Sequence, residues 1–120
     1  MNGYDLITAE RQRQIEIENW SHTHDDQQGV STLERAAFCY RDAHDVTPLP
    51  DSWPWSAEWW KPKDRQRNLE RAGALYLAAA EAADRAGQST DKQRLLGYVE
   101  ACALMLNSLL DATNNKVLGS

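Results

Sequence analysis

Two groups of side chains in this sequence stand out for the chemistry they could do. The first is His22-x-His24-Asp25-Asp26, which gathers two imidazoles and two carboxylates in five consecutive residues. Imidazole and carboxylate together suit zinc, manganese or iron if three or four ligands converge. Glu10 or Glu18 on a neighbouring helix could complete such a set, although these residues could equally cap and brace helix ends. The second group is Trp53–Pro62, which holds Trp53, Trp55, Trp59 and Trp60, four of the five tryptophans in the chain. Lys61, Lys63, Arg65, Arg67 and Arg71 follow at once. Indole faces stack on bases, while guanidinium groups and the free amides of a helix N-terminus hold phosphate. Tryptophan and arginine are also the usual anchors of protein interfaces. Trp59, Trp60, Lys61, Lys63, Arg65 and Arg67 are therefore the candidate binding residues, for a small nucleotide or for a protein partner. The competing assignment puts the indoles in the core and leaves a solvated basic face that neutralises an acidic first helix.

A third motif, Glu81-x-x-Asp84, has one of the carboxylate spacings with which all-α nucleotide pyrophosphohydrolases hold a divalent metal between facing helices. The second spacing is missing, because Glu10, Glu16 and Glu18 are not three residues apart. There is no glycine-rich phosphate loop and no Ser/His/Asp order. The chain therefore reads as a binding protein without a cofactor, with a metal-dependent nucleotide hydrolase as the alternative.

The elements that must position these residues are all helical. Residues 5–19 are expected to form a first helix, capped by Asp5 or Thr8, with a thin apolar face of Leu6, Ile7, Ala9, Ile15 and Ile17. Trp20 ends it, and residues 21–30 lack a period and read as a loop. Ser31-x-x-Glu34 matches a capping box for a second helix, with Leu33, Ala36, Ala37 and Tyr40 on one face and a stop near Ala43. Pro62 and Asp64 open a third helix carrying Leu69, Ala72, Gly73, Tyr76, Leu77 and Ala80, which Gly87 closes. Thr90-x-x-Gln93 predicts the cap of a fourth, with Leu95, Val99, Cys102, Ala103, Leu106 and Leu110 inward. The expected fold is thus an all-α, four-helix domain with an ordered tryptophan-rich loop between helices two and three. Its last two helices form an antiparallel hairpin. Residues 1–120 make one domain, with 1–4 and 114–120 expected to be flexible. In so small a domain the alanine-rich helices cannot cover every indole, so at least one should stay partly exposed.

The totals narrow the class. A net charge of −5 and a pI near 5.1 argue against general nucleic-acid or membrane-surface binding. The charge is segregated: residues 1–60 set four arginines against eleven acids, and residues 61–88 six bases against four. This asymmetry, with the thinly apolar first helix, predicts a homo-oligomer. Cys39 and Cys102 lie in helical runs and form no Cys-x-x-Cys pair, so two buried thiols in a reducing cytoplasm are expected. No apolar run is expected to span a bilayer.

One spaced combination carries a resemblance. Glu10-Arg11-Gln12-Arg13-Gln14-Ile15, Trp20, His24-Asp25-Asp26, Ala36-Ala37 and Tyr40 are followed by Trp53-Pro54-Trp55, Trp59-Trp60-Lys61-Pro62 and Ala72-Gly73-Ala74-Leu75. This pattern resembles a family of small, uncharacterised phage and prophage proteins. The resemblance covers about residues 8–85 and implies a viral or mobile-element origin, action in the host cell cytoplasm, and no particular chemistry. It suits an accessory protein that binds a host protein or a nucleotide signal, for instance to counter host defence. Asn19 stands where the family usually has glycine, and the fourth helix lies beyond the pattern. In outline the C-terminal hairpin is also similar to that of phage proteins that sequester cyclic nucleotide signals.

Overall fold

A computed structural model describes residues 1–118, with side chains described through residue 113. The expected flexible tail at 114–120 lies outside the fully described residues. The fold is all-helical, with no strand among the described residues. Five α-helices run in the order α1 (Gly3–Glu16), α2 (His22–Gln28), α3 (Val30–Asp42), α4 (Arg65–Arg85) and α5 (Ser89–Leu118). The irregular stretch between α3 and α4 contains one short 3₁₀ turn, Ala57–Trp59.

The extra helix is α2, where a loop is predicted. Asn19 sits at φ 59°, the left-handed region that glycine and asparagine tolerate best. That turn lets the Trp20 amide donate to the Gln14 carbonyl (3.0 Å) and closes α1. Ser21 then caps α2, its Oγ accepting the His24 amide at 3.1 Å. α2 escapes periodicity because its only buried residue is Asp25.

Caps account for the other differences. α1 starts at Gly3 rather than at Asp5 or Thr8, because Asn2 and Asp5 exchange reciprocal bonds of 2.9 Å in a capping box. No box forms at Ser31, since Gly29 (φ 86°) already occupies the cap position of α3. α5 likewise begins at Ser89, which leaves Thr90 inside the helix. Asp64 does cap α4, accepting the Arg67 amide at 2.9 Å.

The core lies between α3, α4 and α5. It buries Leu33, Ala36, Leu69, Leu75, Tyr76, Leu95, Val99, Cys102 and Leu106. α1 crosses this core closely: a Cβ on Gly73 would stand 2.5 Å from Ile7 Cδ1, so only glycine admits the fully buried Ile7 there. Over Ser89–Thr113, α5 is long and apolar enough to cross a membrane by length and composition alone, where no such run is predicted. In the fold its inner face is buried with α4.

The segment from Ala43 to Asp64 is pinned by Asn68, which is fully buried. Its Nδ2 donates to the carbonyls of Ala43 (3.0 Å), Lys63 (2.9 Å) and Asp45 (3.3 Å), while its Oδ1 accepts the Lys63 amide at 2.8 Å. One amide side chain thus ties both ends of the tryptophan segment to α4.

Candidate ligand-binding site

The pinned segment folds over the ends of α1, α2 and α3 and leaves a pocket of about 300 Å³. Its floor is Trp53, 8% exposed, in edge-to-face contact with Tyr40 (5.6 Å between ring centroids) and Trp55 (5.4 Å). Trp55 meets Trp20 at 5.9 Å, and Trp20 stacks on His24 at 5.5 Å. The Trp55 N–H donates to Gln28 Oε1 at 2.7 Å, which fixes that wall to α2. Trp59, 56% exposed, stands at the rim with Lys61 Nζ 5.5 Å over its ring. Edge-to-face contacts of this kind hold aromatic rings at defined angles.

Polar groups enter from α1 and α4. Arg13 is held between Glu10 (2.5 Å) and Glu18 (2.7 Å), and the Glu10 hydrogen bond raises its pKa further above the ordinary value. Arg71 donates to the Lys61 carbonyl (2.7 Å) and the Tyr40 hydroxyl (3.4 Å). Neither Lys61 nor Arg71 joins an ion pair among the described residues, so both keep charge for a ligand. Gln14 is 2% exposed and lines the pocket, yet its Oε1 has no hydrogen-bond partner within the chain. The Arg71 Nε is likewise buried without one.

Of the six candidate binding residues, the pocket gathers Trp59 and Lys61. Trp60 turns inward onto Tyr40 (4.7 Å) and Trp53 (5.0 Å), and its N–H donates to the Thr47 carbonyl at 3.0 Å. Lys63 is exposed before the helix. Arg65 donates to the carbonyls of Arg41 and Ala43. Arg67 binds Glu70 (2.7 Å) and buried Glu10 (3.0 Å). Successive helical residues point about 100° apart, so a run of bases in sequence does not stay a cluster in space.

The metal candidates also part company. His22 is exposed at the start of α2, and His24 Nδ1 lies 3.2 Å from Asp25. Asp25 is fully buried 2.6 Å from Arg11, whereas Asp26 turns out to Arg85 at 2.8 Å. Glu81 pairs with Arg11 (2.9 Å) and Asp84 with Lys92 (3.1 Å). Among the described residues no three His, Cys, Asp or Glu side chains are placed to share a metal ion.

Sequence spacing did not single out Arg13, Gln14, Trp20 or Tyr40 as pocket residues, because they come from α1, the turn after it and α3; Arg71 belongs to the basic run that follows the tryptophans. All but Arg71 belong to the pattern that carries the resemblance, and that was the available signal. No protein-family model, curated protein or solved structure matches this chain.

Proposed function

We propose that this protein is a small phage-type accessory protein that acts by binding, and that its ligand is a nucleotide seated in the aromatic pocket. One observation carries the reading: four indoles and Tyr40 wall a cavity of about 300 Å³ beside two cations, Lys61 and Arg71, that have no carboxylate partner. Such a site suits a flat ring joined to an anionic group, and its volume is at the small end of ligand pockets. On this reading the protein sequesters a nucleotide signal in the host cytoplasm, and it associates with itself through surfaces other than the pocket.

Tryptophan emission titrated with nucleoside mono-, di- and triphosphates and cyclic nucleotides tests this directly. Saturable quenching is expected, weakened at least about tenfold by Lys61→Glu, as befits a lost charge-assisted contact. Quenching by none of the panel, or affinity indifferent to Lys61→Glu, overturns the reading.

A host protein is the second reading, favoured by exposed Trp59, Val46 and Leu49 on the same segment. Capture of a host protein that Trp59→Ala abolishes, with nucleotides inert, would select it. The hydrolase alternative requires a divalent metal and a Glu81 freed from Arg11. Turnover of a nucleoside triphosphate with Mg²⁺ or Mn²⁺, lost in Glu81→Gln, would establish that instead.

A further inference from the structure

The geometry points to Gln14 as the residue that reads the ligand's hydrogen-bonding edge, so that the pocket selects a nucleobase over other flat anions. This rests on the nucleotide reading above and adds to it a specificity-determining side chain. A buried carbonyl oxygen without a partner is unfavourable, and native proteins rarely leave one. Here two such groups belong to residues lining one pocket: the Gln14 Oε1 acceptor from α1 and the Arg71 Nε–H donor from α4. A ligand that satisfies both must carry a hydrogen-bond donor and an acceptor. Nucleobases offer that combination along the edge of a flat ring, whereas a phenyl ring has neither group and a sugar phosphate has hydroxyls but no flat face to set against indoles. The indoles stack any base, so discrimination falls to the polar pair.

This assignment forecasts opposite effects on stability and on binding. Gln14→Met keeps length and helix propensity but removes the unpartnered oxygen. The unliganded variant should therefore melt at the same temperature as the wild type or higher, while losing about tenfold or more in affinity for nucleotides. Gln14→Glu retains an acceptor at the same place and should recover part of that loss. A purely structural role, in which a buried water joins Gln14 Oε1 to the equally unpartnered Arg11 Nη1, forecasts the reverse: a lower Tm and unchanged affinity.

The experiment is isothermal titration of wild type, Gln14→Met and Gln14→Glu with AMP, GMP, CMP, UMP, ribose 5-phosphate and phenyl phosphate, beside thermal melts of each protein. Support is tight binding of at least one nucleotide, weak binding of ribose 5-phosphate and phenyl phosphate, and a selective loss of nucleotide affinity in Gln14→Met. Phenyl phosphate binding as tightly as the nucleotides overturns the inference, as does Gln14→Met with unaltered nucleotide affinity. In both cases the aromatic anion pocket itself stands. If the wild type binds none of the six, the pocket reading falls and takes this inference with it. Should Gln14→Met fail to fold, the wild-type comparison of phenyl phosphate with the nucleotides still decides.

Discussion

Two interfaces of this molecule are built on opposite principles. Where α4 meets α5 the contact is apolar: α5 contributes Leu95, Val99, Cys102, Ala103 and Leu106, all buried. Where α4 meets α1 and α2, charged groups are buried beside the apolar contact of Ile7 with Gly73. Arg11, 4% exposed, bridges fully buried Asp25 and partly exposed Glu81, and Glu10, 2% exposed, holds Arg13 and Arg67. Apolar burial is non-directional and loses stability in proportion to the atoms removed. An ionic junction behaves differently, because deleting one partner strands the other in a low-dielectric site. The pocket sits on the ionic side, and Arg13 and Gln14 extend the same helix face into it. A ligand site needs polar groups held at fixed angles, and the ion-pair network supplies that, where an apolar contact would leave the helix free to slide.

The sharpest way to break this comparison is to remove one member from each side. Arg11→Ala should destabilise the fold by about 3–5 kcal/mol, since Asp25 is then buried without its cation. Leu106→Ala should cost about 2–5 kcal/mol through the cavity it leaves. The interfaces differ in rescue. Adding Asp25→Leu to an Arg11→Met background should restore most of the lost stability, as apolar replacement of a buried pair commonly does. Urea unfolding of the single and double variants measures this. If the double variant is no better than Arg11→Met, the junction is more than a buried ion pair.

A smaller effect is expected where α1 crosses α4. Gly73→Ala adds a methyl 2.5 Å from Ile7 Cδ1, at an overpacking penalty of about 1–3 kcal/mol. Better helix propensity offsets about 1 kcal/mol of it. Ile7→Ala, which removes Cδ1 and both γ carbons (2.5, 2.6 and 3.1 Å from that methyl), should relieve the clash, so the pair should be less destabilised than the sum of the singles. A Gly73→Ala variant that melts above the wild type would show that α1 can move away freely.

How much of this was legible in the sequence follows the same divide. The apolar faces of α3, α4 and α5 have helical period, and Leu95, Val99, Cys102 and Leu106 fall inward as their spacing predicts. α1 misleads. Ile17, assigned to its apolar face, is 68% exposed, while Glu10, Arg11 and Gln14 are buried. Periodicity is counted in apolar residues, so a helix that buries its charges is invisible to it. α2 hides for the same reason, with one buried aspartate and no hydrophobic stripe. The tryptophans announce an aromatic cluster, but which indole faces inward depends on hydrogen bonds to distant carbonyls. Trp60 bonds to Thr47, and Asn68 reaches Ala43 from across the segment. Those partners are spatial neighbours with no signature in local spacing. Thus of the basic run only Lys61 and Arg71 line the pocket beside Trp59, Arg65 and Arg67 bond elsewhere, and Gln14 and Trp20 join it only through the fold.

The smallest expected effect isolates burial from charge. Asp25 and Asp26 are adjacent on α2, and each pairs with an arginine, at 2.6 Å from Arg11 and 2.8 Å from Arg85. The Asp25 side chain is fully buried, while the Asp26 side chain is 49% exposed. The hydrogen bond from Arg85 lowers the Asp26 pKa below its ordinary 3.8. Its folded value thus lies under its unfolded one, so whatever it contributes is present above the usual carboxylate range. That contribution disappears as pH falls through the folded value. Water competes for an exposed pair and salt screens it. Asp26→Asn should therefore leave the neutral-pH melt nearly unchanged, reduce only the stability lost on acidification below 3.8, and show no effect at all in about 0.5 M NaCl. Asp25→Asn removes the buried one of Arg11's two carboxylate partners and should be costly at either ionic strength, because no mobile ion reaches a side chain at 0% exposure. If the two neighbours respond alike, burial is not what distinguishes the ionic junction, and the contrast between the two sides of α4 is one of residue type alone.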